Sequence, residues 1–205
     1  VYTLPKITGL QGHYLESPIW INKKWLDTLS LDVPTTVDEF VDVLRAFRDR
    51  DPNQNGVQDE IPYICSTAME GGYSHTEALL GLFGVATKGG VNDSFVMVQD
   101  KKVNFAPAME EYKAGIEFLS KLYQENLMWS ECFTSTESNF LAKMTSETCV
   151  VGCFTSVEPY ETDYSDDYIV IAPPSNPGYE AKWYLHPAYN GSKNLFFVTK
   201  KCKNV

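Results

Sequence analysis

No stretch of this 205-residue chain stays apolar for the roughly 18 residues that a membrane-spanning helix needs. Positive charge is scarce too: 17 Lys and Arg stand against 27 Asp and Glu, a net charge of −10. That balance argues against a nucleic-acid partner, whose phosphates it would repel. Cysteine is thin. Cys65, Cys132, Cys149, Cys153 and Cys202 are too few and too scattered for a disulfide framework, and an odd number leaves at least one thiol free or paired between chains. Neither a CxxC nor a His-x-x-x-His spacing occurs, which argues against zinc. Cys149 and Cys153 fall in CVVGCF, an apolar run that reads as a buried strand in which thiols serve as small hydrophobes.

Catalytic signatures are also missing. There is no G-x-S-x-G elbow, no P-loop and no H-E-x-x-H. His13, His75 and His186 sit among unlike neighbours, where capping or surface roles fit better than catalysis. A glycoside hydrolase would need two carboxylates about 5 Å or about 6.5–9.5 Å apart. Asp and Glu abound here, yet none stands in a motif that singles it out. The opening VYTLPKITGL has neither the basic start nor the apolar core of a secretory leader, and its interior-like character suggests a piece of a longer protein.

What the sequence does have is an unusually dense run of oxygen-bearing side chains in RDRDPNQNGVQDEIPY. Asp51, Asn53 and Asn55 alternate, Gly56 takes the sixth place, Asp59 the ninth, and Glu60 follows. This spacing fits the first half of a calcium loop, since a hard cation takes six to eight oxygens at about 2.3–2.6 Å and Gly relieves the sharp turn. The carbonyl of Val57 would supply the seventh-position ligand. At position twelve, where an EF-hand carries a bidentate Glu, the chain has Pro62; Asp59 and Glu60 together would complete the shell. The plain alternative is a solvated polar turn, because Asp-Pro and Asn-Gly are ordinary turn pairs.

Periodicity predicts a mixed α/β order. SPIWINKKWLDTL reads as a strand leading into a short helix, with Trp20 and Trp25 as packing residues. Val37, Phe40, Val41, Leu44 and Phe47 recur at helical spacing behind a Thr36/Glu39 capping box. EIPYICS is a predicted strand, AMEGGYS a loop, and HTEALLGLFG a buried helix capped by Gly84. SFVMVQDKKVNFA predicts a hairpin turning at Asp100-Lys101. Pro107 then opens an amphipathic helix with Met109, Tyr112, Ile116, Leu119 and Tyr123 along one side. STESNFLAKM predicts a shorter helix and ETCVVGCF the strand after it. Between Val157 and Ser192 the Tyr, Pro, Asp and Gly content suggests a surface excursion, interrupted by the strand YIVIAPP. NLFFVTKKC is a last strand.

The run WINKKWLDTLSLDVPTTVDEFVDVLRAFRDRDPNQNGVQDEIP resembles the signature region of extracellular solute-binding proteins of bacterial ABC importers. It is similar in particular to the lipoprotein receptors for sugars and oligosaccharides that include the alginate-binding proteins. Leu-x-x-Pro-Thr-Thr-x-Asp-Glu-Phe and Asp-Pro-Asn-x-Asn-Gly-x-x-Asp-Glu carry the likeness, and VYTLP and FFVTKKCKN look like the strands that cross between lobes. The resemblance implies a structural calcium ion held by Asp51, Asn53, Asn55, Val57, Asp59 and Glu60. It implies that residues 1–205 form a single α/β lobe of the type II periplasmic-binding-protein-like fold, a mixed sheet flanked by helices, with the other lobe missing. It further implies a non-catalytic, cell-surface or periplasmic receptor. Such a receptor hands a carbohydrate to permease subunits and is tethered to the membrane only by a lipid on the absent N-terminal part.

A sugar shows flat C–H faces and rings of hydroxyls, so a receptor lobe needs aromatic platforms and polar groups facing the cleft. Aromatics in polar or Gly-rich loops are the candidates: Tyr73, Trp129, Tyr160 and Trp183. Glu70, Glu158 and Ser66 are candidates for bonding hydroxyls, and each aromatic has the alternative of plugging a loop onto the core. Two other readings remain open, a calcium-stabilised carbohydrate-binding or adhesin module and, with less support, a glycoside hydrolase.

Overall fold

The computed structural model describes residues 2–8, 18–69, 74–85, 95–99, 101–156, 160, 162–183 and 190–198. Its strands are β1 (Tyr2–Thr8), β2 (Ile19–Asn22), β3 (Ile61–Tyr63), β4 (Val96–Gln99), β5 (Lys102–Phe105), β6 (Val151–Thr155), β7 (Tyr168–Val170) and β8 (Asn190–Val198). The helices are α1 (Lys23–Leu29), α2 (Val37–Asp49), α3 (Glu110–Gln124) and α4 (Glu137–Met144), with a 3-10 helix at Thr76–Phe83. Two compact units result, residues 1–15 with 185–205, and residues 16–184.

In the smaller unit β1 pairs antiparallel with β8, from Tyr2 opposite Val198 to Thr8 opposite Asn190, with a register shift between Leu4 and Lys6. In the larger unit a four-stranded sheet runs in the order β3-β6-β2-β7. β3 and β6 are parallel, whereas β2 is antiparallel to both β6 and β7. The sheet is therefore mixed. β6 is buried along its whole length, as expected of an apolar strand covered on both faces.

Helix α2 forms where the sequence places it. Thr36 Oγ1 accepts from the Glu39 amide at 3.2 Å while Glu39 reaches back to the Thr36 amide at 3.2 Å, so both halves of the capping box are present. Phe40, Leu44 and Phe47 on its inner face are completely buried. Phe47 meets Trp25 of α1 edge to face with ring centres 5.2 Å apart. Arg45 fixes the outer side by hydrogen bonds of 2.9 and 3.1 Å to the two carboxylate oxygens of Glu125, just past α3.

The hairpin β4–β5 turns at Lys101, which takes a left-handed φ of 61°. HTEALLGLF is a helix capped by left-handed Gly84, but it winds as 3-10 rather than α. Gly81 within it has no side chain, and the carbonyl of Lys182 occupies the space a Cβ would need. Helix α3 differs from expectation in its orientation. Its buried face is Gly115, Leu119 and Leu122, whereas Ile116 and Tyr123 are 40% and 39% exposed. Gly115 allows that rotation because Leu80 packs directly on its backbone. No helix among the described residues is long and apolar enough to cross a membrane.

Candidate functional site

The oxygen-rich loop leaves α2 with Asp51 at φ 44°, Gln54 at φ 59° and Gly56 at φ 76°, so three left-handed residues coil it tightly. The Asp51 carboxylate accepts from the amides of Asn55 at 3.1 Å and Gly56 at 3.0 Å. Asn53 Oδ1 accepts from the Asn55 amide at 3.0 Å, and Asn55 Oδ1 from the Val57 amide at 2.7 Å. Asn55 Nδ2 donates to Asp59 Oδ1 at 3.1 Å, and Asn53 Nδ2 approaches the same atom at 3.4 Å. The side chains of Asp51, Asn53, Asn55 and Asp59 are thus drawn together. Among the described residues, no three His, Cys, Asp or Glu side chains form a metal-holding cluster on their own. The expected ligand set contains three carboxylates, Asp51, Asp59 and Glu60, and the loop as it stands does not gather these three into such a cluster.

Glu60 is the informative member. Both carboxylate oxygens are buried and neither has a hydrogen-bond partner. Burial pushes this carboxyl above its ordinary value, and the nearby charges of Asp59 and Asp51 push it the same way. Leaving a buried carboxylate unpaired is costly, and a dication at the loop centre would remove that cost. The loop's oxygen donors are of the type a hard cation takes.

The second cluster lies beyond the carboxyl ends of the parallel strands β3 and β6, the edge where open α/β sheets place ligands. Ser66 is fully buried, and its Oγ is 2.9 Å from Ser135 Oγ. The Ser66 amide donates to the Ser74 carbonyl at 2.9 Å, and Tyr160 donates from its hydroxyl to Ser74 Oγ at 3.3 Å. Ser74 in turn bonds the carbonyl of Thr155, the last residue of β6, at 2.8 Å. Ser66 and Tyr160, far apart in sequence, are thus brought into one network. Trp129 is attached from behind: Phe140 lies between its ring and that of Tyr160, with ring centres 6.3 and 5.6 Å away.

Trp129 and Trp183 are each only 5% exposed, and Trp183 Nε1 donates to the Ile171 carbonyl at 3.2 Å. Trp183 belongs to a different corner, packed by the 3-10 helix at Gly81. Tyr73, Glu70 and Glu158 lie outside the described residues, as do His13 and His186. His75 is a cap, its Nδ1 accepting from the Glu77 amide at 3.3 Å. Sequence reasoning missed the groove beside the network, which has about 540 Å³ of open volume and is lined by Thr67, His75, Glu77, Tyr123, Met128 and Phe133 among others. The signal was present in the Tyr123 stripe of α3, which reads equally well as core.

No family model matches the chain. By sequence it is 34% identical over 148 residues to the fructooligosaccharide ABC transporter substrate-binding protein FusA of Streptococcus pneumoniae, covering 70% of this chain and 27% of that one. By structure it matches an extracellular solute-binding protein from Bifidobacterium longum subsp. infantis with a TM-score of 0.78 and 31% identity, over 96% of this chain and 42% of that one. FusA in complex with kestose matches with a TM-score of 0.73 and 27% identity, over 91% and 38% of the two chains. FusA is also known as an EF-hand mutant in complex with fructo-nystose. An HMO binding, ABC-transporter-associated solute-binding protein of Bifidobacterium longum infantis matches with a TM-score of 0.74 and 28% identity, over 95% and 43%. The chain spans about a quarter of the length of the curated relative FusA.

Proposed function

We propose that this chain, whose homologues and structural neighbours are solute-binding proteins of ABC sugar and oligosaccharide transporters, is the carbohydrate-binding lobe of such a receptor. The observation that carries the reading is the match over 96% of the chain to an extracellular solute-binding protein. Its relatives are substrate-binding proteins, and no reaction is proposed for it. The ligand is an oligosaccharide, taken up between this lobe and a second one that closes over it. In this reading Tyr160 and Ser66 stand at the cleft edge of the sheet, and Tyr73, Glu70 and Glu158 remain candidate ligand contacts from the sequence. Trp129 and Trp183 hold the supporting loops, and permease subunits receive the ligand outside the cytoplasmic membrane, where a lipid anchor retains the receptor.

Calcium is part of the same proposal. Asp51, Asn53, Asn55, Asp59, Glu60 and the Val57 carbonyl would hold it, and the ion would supply only charge neutralisation and shape. The orphaned Glu60 carboxylate supports this assignment. Calorimetric titration of the intact two-lobe protein with a panel of fructo-, galacto- and uronic-acid oligosaccharides tests the reading. Saturable binding of one class is expected. Absence of binding to every glycan, in a folded and calcium-loaded protein, would overturn it.

A further inference from the structure

Cys65 and Cys132 are both 0% exposed inside the larger unit, as free thiols close enough for one to hydrogen-bond the other. The backbones that carry them run side by side. Tyr63 and Met128 form a parallel bridge, the Trp129 amide donates to the Tyr63 carbonyl at 2.9 Å, and the Thr67 amide donates to the Cys132 carbonyl at 2.9 Å. Main-chain hydrogen bonds on neighbouring residues therefore hold the segments of the two cysteines side by side. We propose that Cys65 and Cys132 are a disulfide-forming pair, bonded in the protein as it works outside the cell; the compartment, though not the pairing, rests on the receptor reading above.

The other cysteines are placed differently. Cys149 Sγ lies between Asn22 Nδ2 at 3.3 Å and the Tyr168 hydroxyl at 3.4 Å, and Cys153 is sealed within β6. Cys202 lies outside the described residues. The acidities agree with the pairing: burial pushes the Cys65 thiol up, while its hydrogen bond to Cys132 brings the Cys132 thiol down. Cys132 is thus the better thiolate, and it becomes the attacking sulfur once local opening of the turn after α3 exposes it.

The oxidant is a disulfide, of a thiol–disulfide oxidoreductase in the cell or of glutathione in the test. The Cys132 thiolate attacks it and displaces one thiol, forming a mixed disulfide. Cys65 then gives up its proton, attacks Cys132 Sγ and releases the second thiol. Two S–H bonds are lost, one S–S bond forms, and the oxidant takes up two electrons and two protons. The bond would staple the extension of β3 to the turn after α3. Thr67, Met128 and Phe133, which neighbour the two cysteines, line the groove, so its wall would be fixed as well.

The test is to equilibrate the full-length protein with mixtures of reduced and oxidised glutathione, then alkylate it in denaturant and map peptides without reduction. Two of the five thiols of this chain are expected to disappear together, with the Cys65 and Cys132 peptides recovered as one linked species. The thermal midpoint should rise by about 5–10 °C on oxidation, a rise lost in both Cys65→Ala and Cys132→Ala. Five free thiols in oxidised glutathione, or a linkage through any other cysteine, would overturn the proposal. Because the redox buffer is imposed, such failure counts against the pairing alone, and glycan binding still tests the receptor reading.

Discussion

Gly152 in β6 lies so close beneath the ring of Phe47 that a Cβ added to it would come 2.5 Å from the ring's Cδ2 and 2.8 Å from the carbonyl oxygen of Pro62. Helix and sheet therefore meet there without a spacer. Gly152→Ala should destabilise the protein by about 1–3 kcal/mol, because the carbonyl cannot move aside. Gly115→Ala should cost less, since the obstructing atom is the end of a Leu80 side chain. Urea unfolding of the two variants checks the order; equal stabilities would show that the α2–β6 contact is looser than described.

Glu60 predicts a pH dependence in calcium-free protein. Its carboxyl is raised in the folded state, first by burial and then by Asp59 and Asp51. In calcium-free protein its support for the fold is complete below the unfolded value and is lost as pH rises through the higher folded one. Glu60→Gln should therefore be more stable than wild type at neutral pH without calcium, and the gap should close on acidification. Calcium at about 100 times its dissociation constant should stabilise wild type by roughly 2.7 kcal/mol and the variant by less. Melting curves with chelator and with calcium read both effects, and identical curves would leave the loop a mere turn.

The capping box of α2 has its own acid signature. Thr36→Ala should cost about 1 kcal/mol, the usual loss for an N-cap hydroxyl. Glu39 is held below the usual carboxylate range, chiefly by the Thr35 amide. Its contribution is therefore present above the unfolded value and disappears as pH falls through the folded one. Glu39→Gln should flatten that part of the acid unfolding curve. An unchanged curve would mean that the box adds nothing.

Tyr160 separates ring from hydroxyl. In the intact receptor, Tyr160→Ala should weaken sugar affinity about tenfold, since an aromatic face contributes on the order of 1 kcal/mol. Tyr160→Phe keeps the ring and loses the hydroxyl's bond to Ser74 Oγ at 3.3 Å, so its affinity should stay near wild type. Calorimetry distinguishes the two. Wild-type affinity in the Ala variant would show that the ring serves packing, as it does against Phe140 and Phe154, and not the ligand.

Local signals were the legible ones. The Thr36/Glu39 box, the Gly84 cap and the hairpin at Lys101 each depend on residues within a few positions, and all formed where expected. The tilt of α3 was not legible, because it depends on Leu80 meeting Gly115 across the fold. The network of Ser66, Ser74 and Tyr160 escaped for the same reason: β3 and β6 become neighbours only in space. Loop aromatics were an ambiguous guide. Trp129 and Trp183 are as polar in their sequence surroundings as Tyr160, yet both turn inward to cover the sheet.

The ribbon of β1 and β8 sets Tyr2 opposite Val198, so its pairing closes a loop that holds the whole larger unit. Closing so wide a loop is entropically the most demanding step in the chain, whereas the capped helices can nucleate at once. Assembly thus acquires an order, with the sheet of the larger unit maturing early and the paired ends latching last.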